Sequence, residues 1–297
     1  MTDQAIAPGT ITANGLEFGF LTVGSGPLAL LLHGFPDSAW TWRHLMVDLA
    51  EAGYRAVAPF LRGYSPTAVP ADGHYQPGAV AADANALHDA LGGGDDAVLV
   101  GHDWGALASY SAAAHQPERW SRVVTAAVPP PATVAASFLT YDQLHRSWYM
   151  FFFQSPFADM VVPMDDMAFI DRLWADWSPG YDASEDLPRV KAALGGSGNL
   201  AAAISYYRAT IGTGARSAAY DAIEAAGAGP IPQPTLYLHG ADDGCMGADI
   251  LASDQVLASL PHPESQMVVV EGTGHFLHLE RPDEVNRLIL DHLGRSR

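Results

Sequence analysis

Residues 98–114, VLVGHDWGALASYSAAA, run from a short β-rich stretch through Gly101-His102-Asp103-Trp104-Gly105 into a helix of small residues. A strand, a glycine-flanked polar residue and a helix make the layout of a nucleophile elbow, G-x-S-x-G, here with aspartate in the serine position. Glycines on both sides let the backbone turn sharply enough to hold the middle residue in a strained conformation above the sheet. The small residues Ala106, Ala108 and Ser109 let the helix approach closely. A lone G-x-D-x-G would equally suit a helix-capping aspartate, so its surroundings have to decide.

Working outward, short apolar runs alternate with helix-like stretches, the pattern of a mostly parallel sheet covered on both faces. Strands are expected over Pro27 to His33, Tyr54 to Pro59, Asp96 to Gly101, Arg122 to Val128, Thr235 to His239 and Met267 to Val270. Ahead of them, TITANGLEFGFLTVGSG reads as an antiparallel hairpin turning at Asn14-Gly15. RPDEVNRLILDHL closes the chain with helical spacing, its Pro282 suited to a first turn.

Between Pro129 and about Gly229 the alternation fails, and aromatic, helix-patterned segments replace it: FLTYDQLHRSWYMFFFQ, DDMAFIDRLWADW and NLAAAISYYRAT. The expected organisation is a core of 1–130 and 230–297 with a helical insertion over 131–229, hinged at Pro129-Pro130-Pro131 and Gly229.

The aspartate is chemically selective. A serine that attacks saturated carbon leaves an ether, which water cannot easily cleave, whereas a carboxylate leaves an ester that a second step can release. Aspartate also needs no base to ionise at neutral pH, its reference pKa being about 3.9. Asp103 therefore points to substitution at saturated carbon.

The second step needs a base, an acid to orient it and donors for the oxyanion. VVVEGTGHFLHLERPDEV places His275 in a glycine-flanked loop after the last strand, with His278 as its competitor. LYLHGADDGC offers Asp242 and Asp243, and the spacing G-x-x-D from Gly240 favours Asp243. In LLLHGFPDSAWTWRHL, a cis bond before Pro36 would aim the Phe35 N–H inward, to act with the Trp104 N–H as oxyanion donors. His33 reads as a supporting residue. Cys245, the chain's one cysteine, reads as a small residue near a strand end, unable to build a zinc site by itself.

Bulk properties exclude other classes. The 297 residues are 48% hydrophobic, and 15 Lys+Arg against 33 Asp+Glu give a net charge of −18, which repels nucleic acid and anionic lipid. No apolar run nears the roughly 20 residues of a membrane helix, and MTDQAIAPGT has no secretion-type pattern, so a soluble, cytoplasmic protein is expected.

HGFPDSAWTWR, RGYSPT, GHDWGA, GADDG and GTGHF, in that order, resemble the α/β-hydrolase-fold epoxide hydrolases from about residue 10 to the end. That resemblance implies an α/β-hydrolase fold with a mostly parallel eight-stranded sheet, helices on both faces and an inserted helical cap. Tyr149-Met150-Phe151-Phe152-Phe153-Gln154 is similar to the family's Y-x-x-x-F-Q, and Tyr206-Tyr207-Arg208 to its W-Y-R. By that likeness Tyr149 and Tyr207 are the ring-opening acids. Phenols of pKa about 10 suit the alkoxide an epoxide would release. Arg62-Gly63-Tyr64-Ser65-Pro66-Thr67 departs from the family's R-G-Y-G-x-S.

The expected partner is a small apolar epoxide in a pocket including Trp40, Trp148, Phe152 and Phe153; no cofactor or metal is called for, and a homodimer stays open. Two alternatives remain. A dehalogenase of the same fold would also use aspartate and histidine, but Phe35 supplies no side-chain halide donor, and Trp104 and Tyr149 stand where fluoroacetate dehalogenases carry Arg and His. A non-catalytic binding scaffold would not need Asp103, Asp243 and His275 together.

Overall fold

The computed structural model describes residues 5–294. Among them, eight strands form one sheet: β1 Ala7–Ala13, β2 Leu16–Gly24, β3 Leu28–Leu32, β4 Arg55–Pro59, β5 Val98–His102, β6 Arg122–Ala126, β7 Thr235–Gly240 and β8 Gln266–Val270, in the order β1-β2-β4-β3-β5-β6-β7-β8. β1 and β2 form the expected hairpin, with Asn14 and Gly15 both at positive φ, and β2 also pairs antiparallel with β4. From β4 onward every pairing is parallel. The central strands LALLL and VLVGH are buried at every position, because a parallel sheet hides both faces and continuous apolar runs satisfy both. Each fully buried Leu or Val there contributes about 1.5–3 kcal/mol.

Helices α1 Arg43–Glu51, α2 Pro77–Ala90 and α3 Trp104–His115 connect the strands. Beyond β6, the regular elements are helical until β7: α4 Pro131–Ser137, α5 Tyr141–Arg146, α6 Trp148–Phe152, α7 Phe157–Val161, α8 Met164–Trp177, α9 Leu187–Leu194, α10 Asn199–Ile211 and α11 Asp221–Gly227, with one short 3-10 turn at Ala218–Tyr220. The last of these, α11, lies against α2 and α3. α12 Ser253–Ala258, α13 Leu277–Glu280 and α14 Pro282–His292 complete the chain, with Pro282 in the first turn and α14 packed on α1. Among the described residues no helix is long and apolar enough to cross a membrane.

The unusual RGYSPT loop is built into the core by its ends. Arg62 makes a buried two-point ion pair with Asp83, Nε to Oδ2 and Nη2 to Oδ1 both at 2.6 Å. Thr67 Oγ1 donates to the Phe60 carbonyl at 2.6 Å and accepts from the Gly19 N–H at 3.0 Å. The bonds preceding Pro36 and Pro66 are cis.

Candidate active site

Asp103 sits between β5 and α3 with φ 54° and ψ −116°, a conformation a side chain rarely adopts. The packing around it enforces that turn. A Cβ on Gly105 would stand 2.2 Å from the Leu32 carbonyl oxygen, and one on Gly34 would stand 2.3 Å from Asp103 Oδ1. Only glycine admits the β3 backbone and the β3-to-α1 loop this close to the elbow.

The Phe35 N–H donates to Asp103 Oδ1 at 2.8 Å, the inward aim expected from the H-G-F-P run. Trp104 is the first residue of α3, directly after Asp103, so its N–H lies outside the helix's own bonding ladder. On the other side, His275 Nε2 is 3.6 Å from Asp103 Oδ2, and His275 Nδ1 is 2.9 Å from Asp243 Oδ2. Asp243 Oδ1 accepts the N–H groups of Cys245 and Met246 at 2.7 and 2.9 Å, so this carboxylate is fixed at both oxygens. The geometry thus selects Asp243 over Asp242.

Burial works to strip the proton from His275, but the carboxylates of Asp243 and then Asp103 outweigh it and hold the pKa at about 10. For Asp243, burial raises the pKa, and the opposing His275 charge and hydrogen bond leave it below the usual carboxylate range. His278 is elsewhere: its Nε2 contacts Thr41 Oγ1 at 2.6 Å and its ring stacks on Trp42. His33 is a buried support, accepting the Leu61 N–H at Nε2, and burial lowers its pKa to about 4.

A cavity of about 880 Å³ opens from Asp103 toward the surface. Asp103, Trp104, Tyr149, Tyr207 and Cys245 line its inner end. Leu107, Val134, Phe138, Met150 and Ile211 form apolar walls, and Arg216, Asp221 and Glu224 stand farther out. Tyr149 on α6 and Tyr207 on α10 are 3% and 2% exposed, with ring centroids 5.5 Å apart. Gln154 ties their helices, its Nε2 donating to the Met150 carbonyl at 2.9 Å and the Tyr207 carbonyl at 3.3 Å. Burial pushes both phenols well above their ordinary pKa, so both keep their protons. The Tyr149 hydroxyl is 3.4 Å from Cys245 Sγ, while the buried Tyr207 hydroxyl has no hydrogen bond of good geometry. Its neighbour Tyr206 turns away and donates to the Arg62 carbonyl.

The expected pocket aromatics require correction. Trp40, Trp148, Phe152 and Phe153 do not line this cavity. Phe153 is fully buried behind the tyrosines, its ring 5.6 Å from Tyr149 and 5.2 Å from Tyr207. Phe152 stacks on Phe169, Trp40 lies under the Arg189 guanidinium, and Trp148 is 48% exposed on a separate groove with Met164 and Phe169. Cys245 lies shortly after β7 and also lines the cavity, a placement that the approach of α6 to the β7 loop creates.

The sheet order, the elbow and a match of residues 27–282 to the family model described as alpha/beta hydrolase fold define the class. A Caballeronia sordidicola protein named epoxide hydrolase is 31% identical over 94% of this chain and 91% of its own length. Among solved structures, a Vigna radiata epoxide hydrolase aligns at a TM-score of 0.79 and 27% identity over 97% of this chain and 98% of its own. Another, an epoxide hydrolase from an endophytic Streptomyces, aligns at 0.76 and 29% over 97% and 95%. The chain belongs to the epoxide hydrolase family of the α/β-hydrolase fold.

Proposed function

We propose that this protein is an epoxide hydrolase that converts an apolar epoxide and water to a vicinal diol through an ester of Asp103. The observation that carries the reading is one carboxylate backed by the His275–Asp243 pair and facing two protonated phenols across the inner end of an apolar cavity. Helices of the 131–229 insertion serve as a cap, bringing Tyr149 and Tyr207 over the elbow.

Asp103 Oδ1 is engaged by the Phe35 N–H, which leaves Oδ2 as the attacking oxygen. As Oδ2 bonds to one epoxide carbon, that carbon's bond to the ring oxygen breaks, and Tyr149 and Tyr207 hydrogen-bond the alkoxide and supply its proton. Ester formation removes the Asp103 charge, one of the two that hold the His275 proton. The His275 proton then passes through water to the phenolate left by ring opening, and neutral His275 takes a proton from the attacking water as its oxygen adds to the ester carbonyl, while the Phe35 and Trp104 amides receive the oxyanion. The diol leaves, and Asp103 keeps one oxygen from water. Apart from the attacking water, the reacting groups in this sequence are the chain's own residues. A reducing, cytoplasmic location belongs to the same proposal, supported by a single cysteine that has no internal disulfide partner.

A single turnover in heavy-oxygen water tests the scheme. The label is expected in the Asp103 carboxylate and absent from the first-formed diol; label appearing directly in that diol would overturn it. Assaying styrene-type and aliphatic epoxides beside haloalkanes, with diol and halide release measured separately, distinguishes this activity from dehalogenation.

A further inference from the structure

The fold brings the chain's one cysteine to the two reacting residues. Cys245 Sγ, a carboxylate oxygen of Asp103 and a ring nitrogen of His275 lie within 4.8 Å of one another, all three residues buried. His275 Nε2 has no hydrogen-bond partner, although its ring is fully buried, and it is aimed at Asp103.

We propose that Asp103, Cys245 and His275 form a reversible, inhibitory binding site for a zinc-class divalent cation, Zn²⁺ or Cd²⁺. Thiolate, imidazole and carboxylate are the ligands such ions take, three protein groups leaving a fourth position open. A tetrahedral zinc with bonds of about 2.0–2.1 Å sets its nitrogen and oxygen ligands about 3.3 Å apart. His275 Nε2 and Asp103 Oδ2 are already at 3.6 Å, so those two ligands need only a small closure. The other ring nitrogen is bound to Asp243 at 2.9 Å, the carboxylate–histidine arrangement that orients a metal-binding imidazole. The cavity gives an ion a route in from the surface. Binding displaces the thiol proton and the Nε2 proton to bulk water, leaving a thiolate and a neutral ligating nitrogen. It also engages the Asp103 carboxylate, so no ester can form while the ion is held. Mg²⁺ and Ca²⁺, which prefer all-oxygen sites, do not fit a sulfur–nitrogen pair.

This inference rests on the cluster's geometry, not on the reaction assigned above, and direct metal binding is read separately from turnover. Calorimetric titration of the purified enzyme with ZnCl2 or CdCl2 is expected to show one site per chain, with no comparable heat from Mg²⁺ or Ca²⁺. Cd²⁺ should also produce a thiolate-to-metal ultraviolet band, a readout that needs no variant. Loss of an orienting partner alone costs 10–100-fold in affinity, so Cys245→Ser, checked for folding by its melting curve, should weaken binding by at least about tenfold and abolish the band. Cys245→Ala should do the same. No binding by the unmodified enzyme, or binding without the band, overturns the proposal. So does unchanged affinity in the folded variants, which would place the ion elsewhere, for instance at the buried Asp37, His102 and His278 cluster.

Discussion

His275 Nε2 and Asp103 Oδ2 stand 3.6 Å apart, just beyond a hydrogen bond, with the imidazole fully buried. That separation suits a base that acts on a water molecule near the Asp103 ester carbonyl more than one that activates Asp103 itself. His275→Gln should therefore leave ester formation largely intact and slow its hydrolysis by about 10²–10⁴-fold, the usual contribution of a positioned base. Mass spectrometry of the peptide containing Asp103 would show one added substrate mass during turnover. An unmodified peptide would count against the ester.

The buried pair carries a pH signature. His275 is raised above its unfolded value of 6.5 to about 10, so its stabilisation is complete below about pH 6.5 and disappears as pH rises through 10. Asp243 is lowered, so its stabilisation holds above its unfolded value of 3.8 and fades as pH falls below it. The melting temperature of the unmodified enzyme should fall between pH 7 and 10 more steeply than that of His275→Gln. Parallel melting curves over that range would remove the assigned ion pair.

Asp243→Asn replaces one acceptor oxygen with a donor, so either the His275 Nδ1–H or the backbone N–H groups of Cys245 and Met246 lose their partner. Hydrolysis of the ester should slow by about 10²–10⁴-fold, and the melting temperature should drop, because a buried donor left unpaired costs about 1–3 kcal/mol. Rapid-quench kinetics separating ester formation from release would check this; equal slowing of both steps would point to a collapsed site.

Much of this was legible in residues 98–114 because an elbow is a local device: a strand, two glycines and a helix of small residues leave few other conformations. His275 and Asp243 were legible for the same reason, each lying just after a strand, β8 or β7, that runs parallel to β5 and so ends at the same edge of the sheet. The substrate wall was not. Trp148, Phe152 and Phe153 lie close together in sequence, yet one is half exposed, one stacks on Phe169 and one is buried behind the tyrosines. Which side of a short helix faces the cavity depends on how α6 packs against α8 and α10, contacts between segments far apart in sequence. Cys245 shows the same limit from the other direction, since nothing near it in sequence forecasts the Tyr149 hydroxyl 3.4 Å away.

The two phenols should be separable from packing. Tyr149→Phe and Tyr207→Phe each retain the ring and its edge-to-face contact, removing only the hydroxyl. Each should slow ester formation by about 10²-fold or more, and the double variant should be inactive on epoxides, since no other phenol lines the described cavity. Unchanged melting temperatures with lost ring opening would be the expected result, measured by diol release and calorimetry. Full activity in the double variant would make both residues part of the core only.

Leu107 offers the sharpest test of the cavity's course. It lies one helical turn beyond Asp103 on α3, partly buried, with its side chain on the wall between the inner end and the mouth. Leu107→Trp should narrow that passage without touching Asp103, His275 or the tyrosines. For a homologous series of terminal epoxides, kcat/KM should hold for the shortest members and fall by about tenfold or more for the longest, a loss of about 1.4 kcal/mol in transition-state stabilisation. Trp148→Ala is the matched control, because its ring sits on the separate outer groove and should alter neither end of the series. If Leu107→Trp lowered all members equally, the site would be disturbed rather than narrowed. If only Trp148→Ala changed the chain-length dependence, long substrates would enter from the outer groove between α6 and α8 instead of past α3.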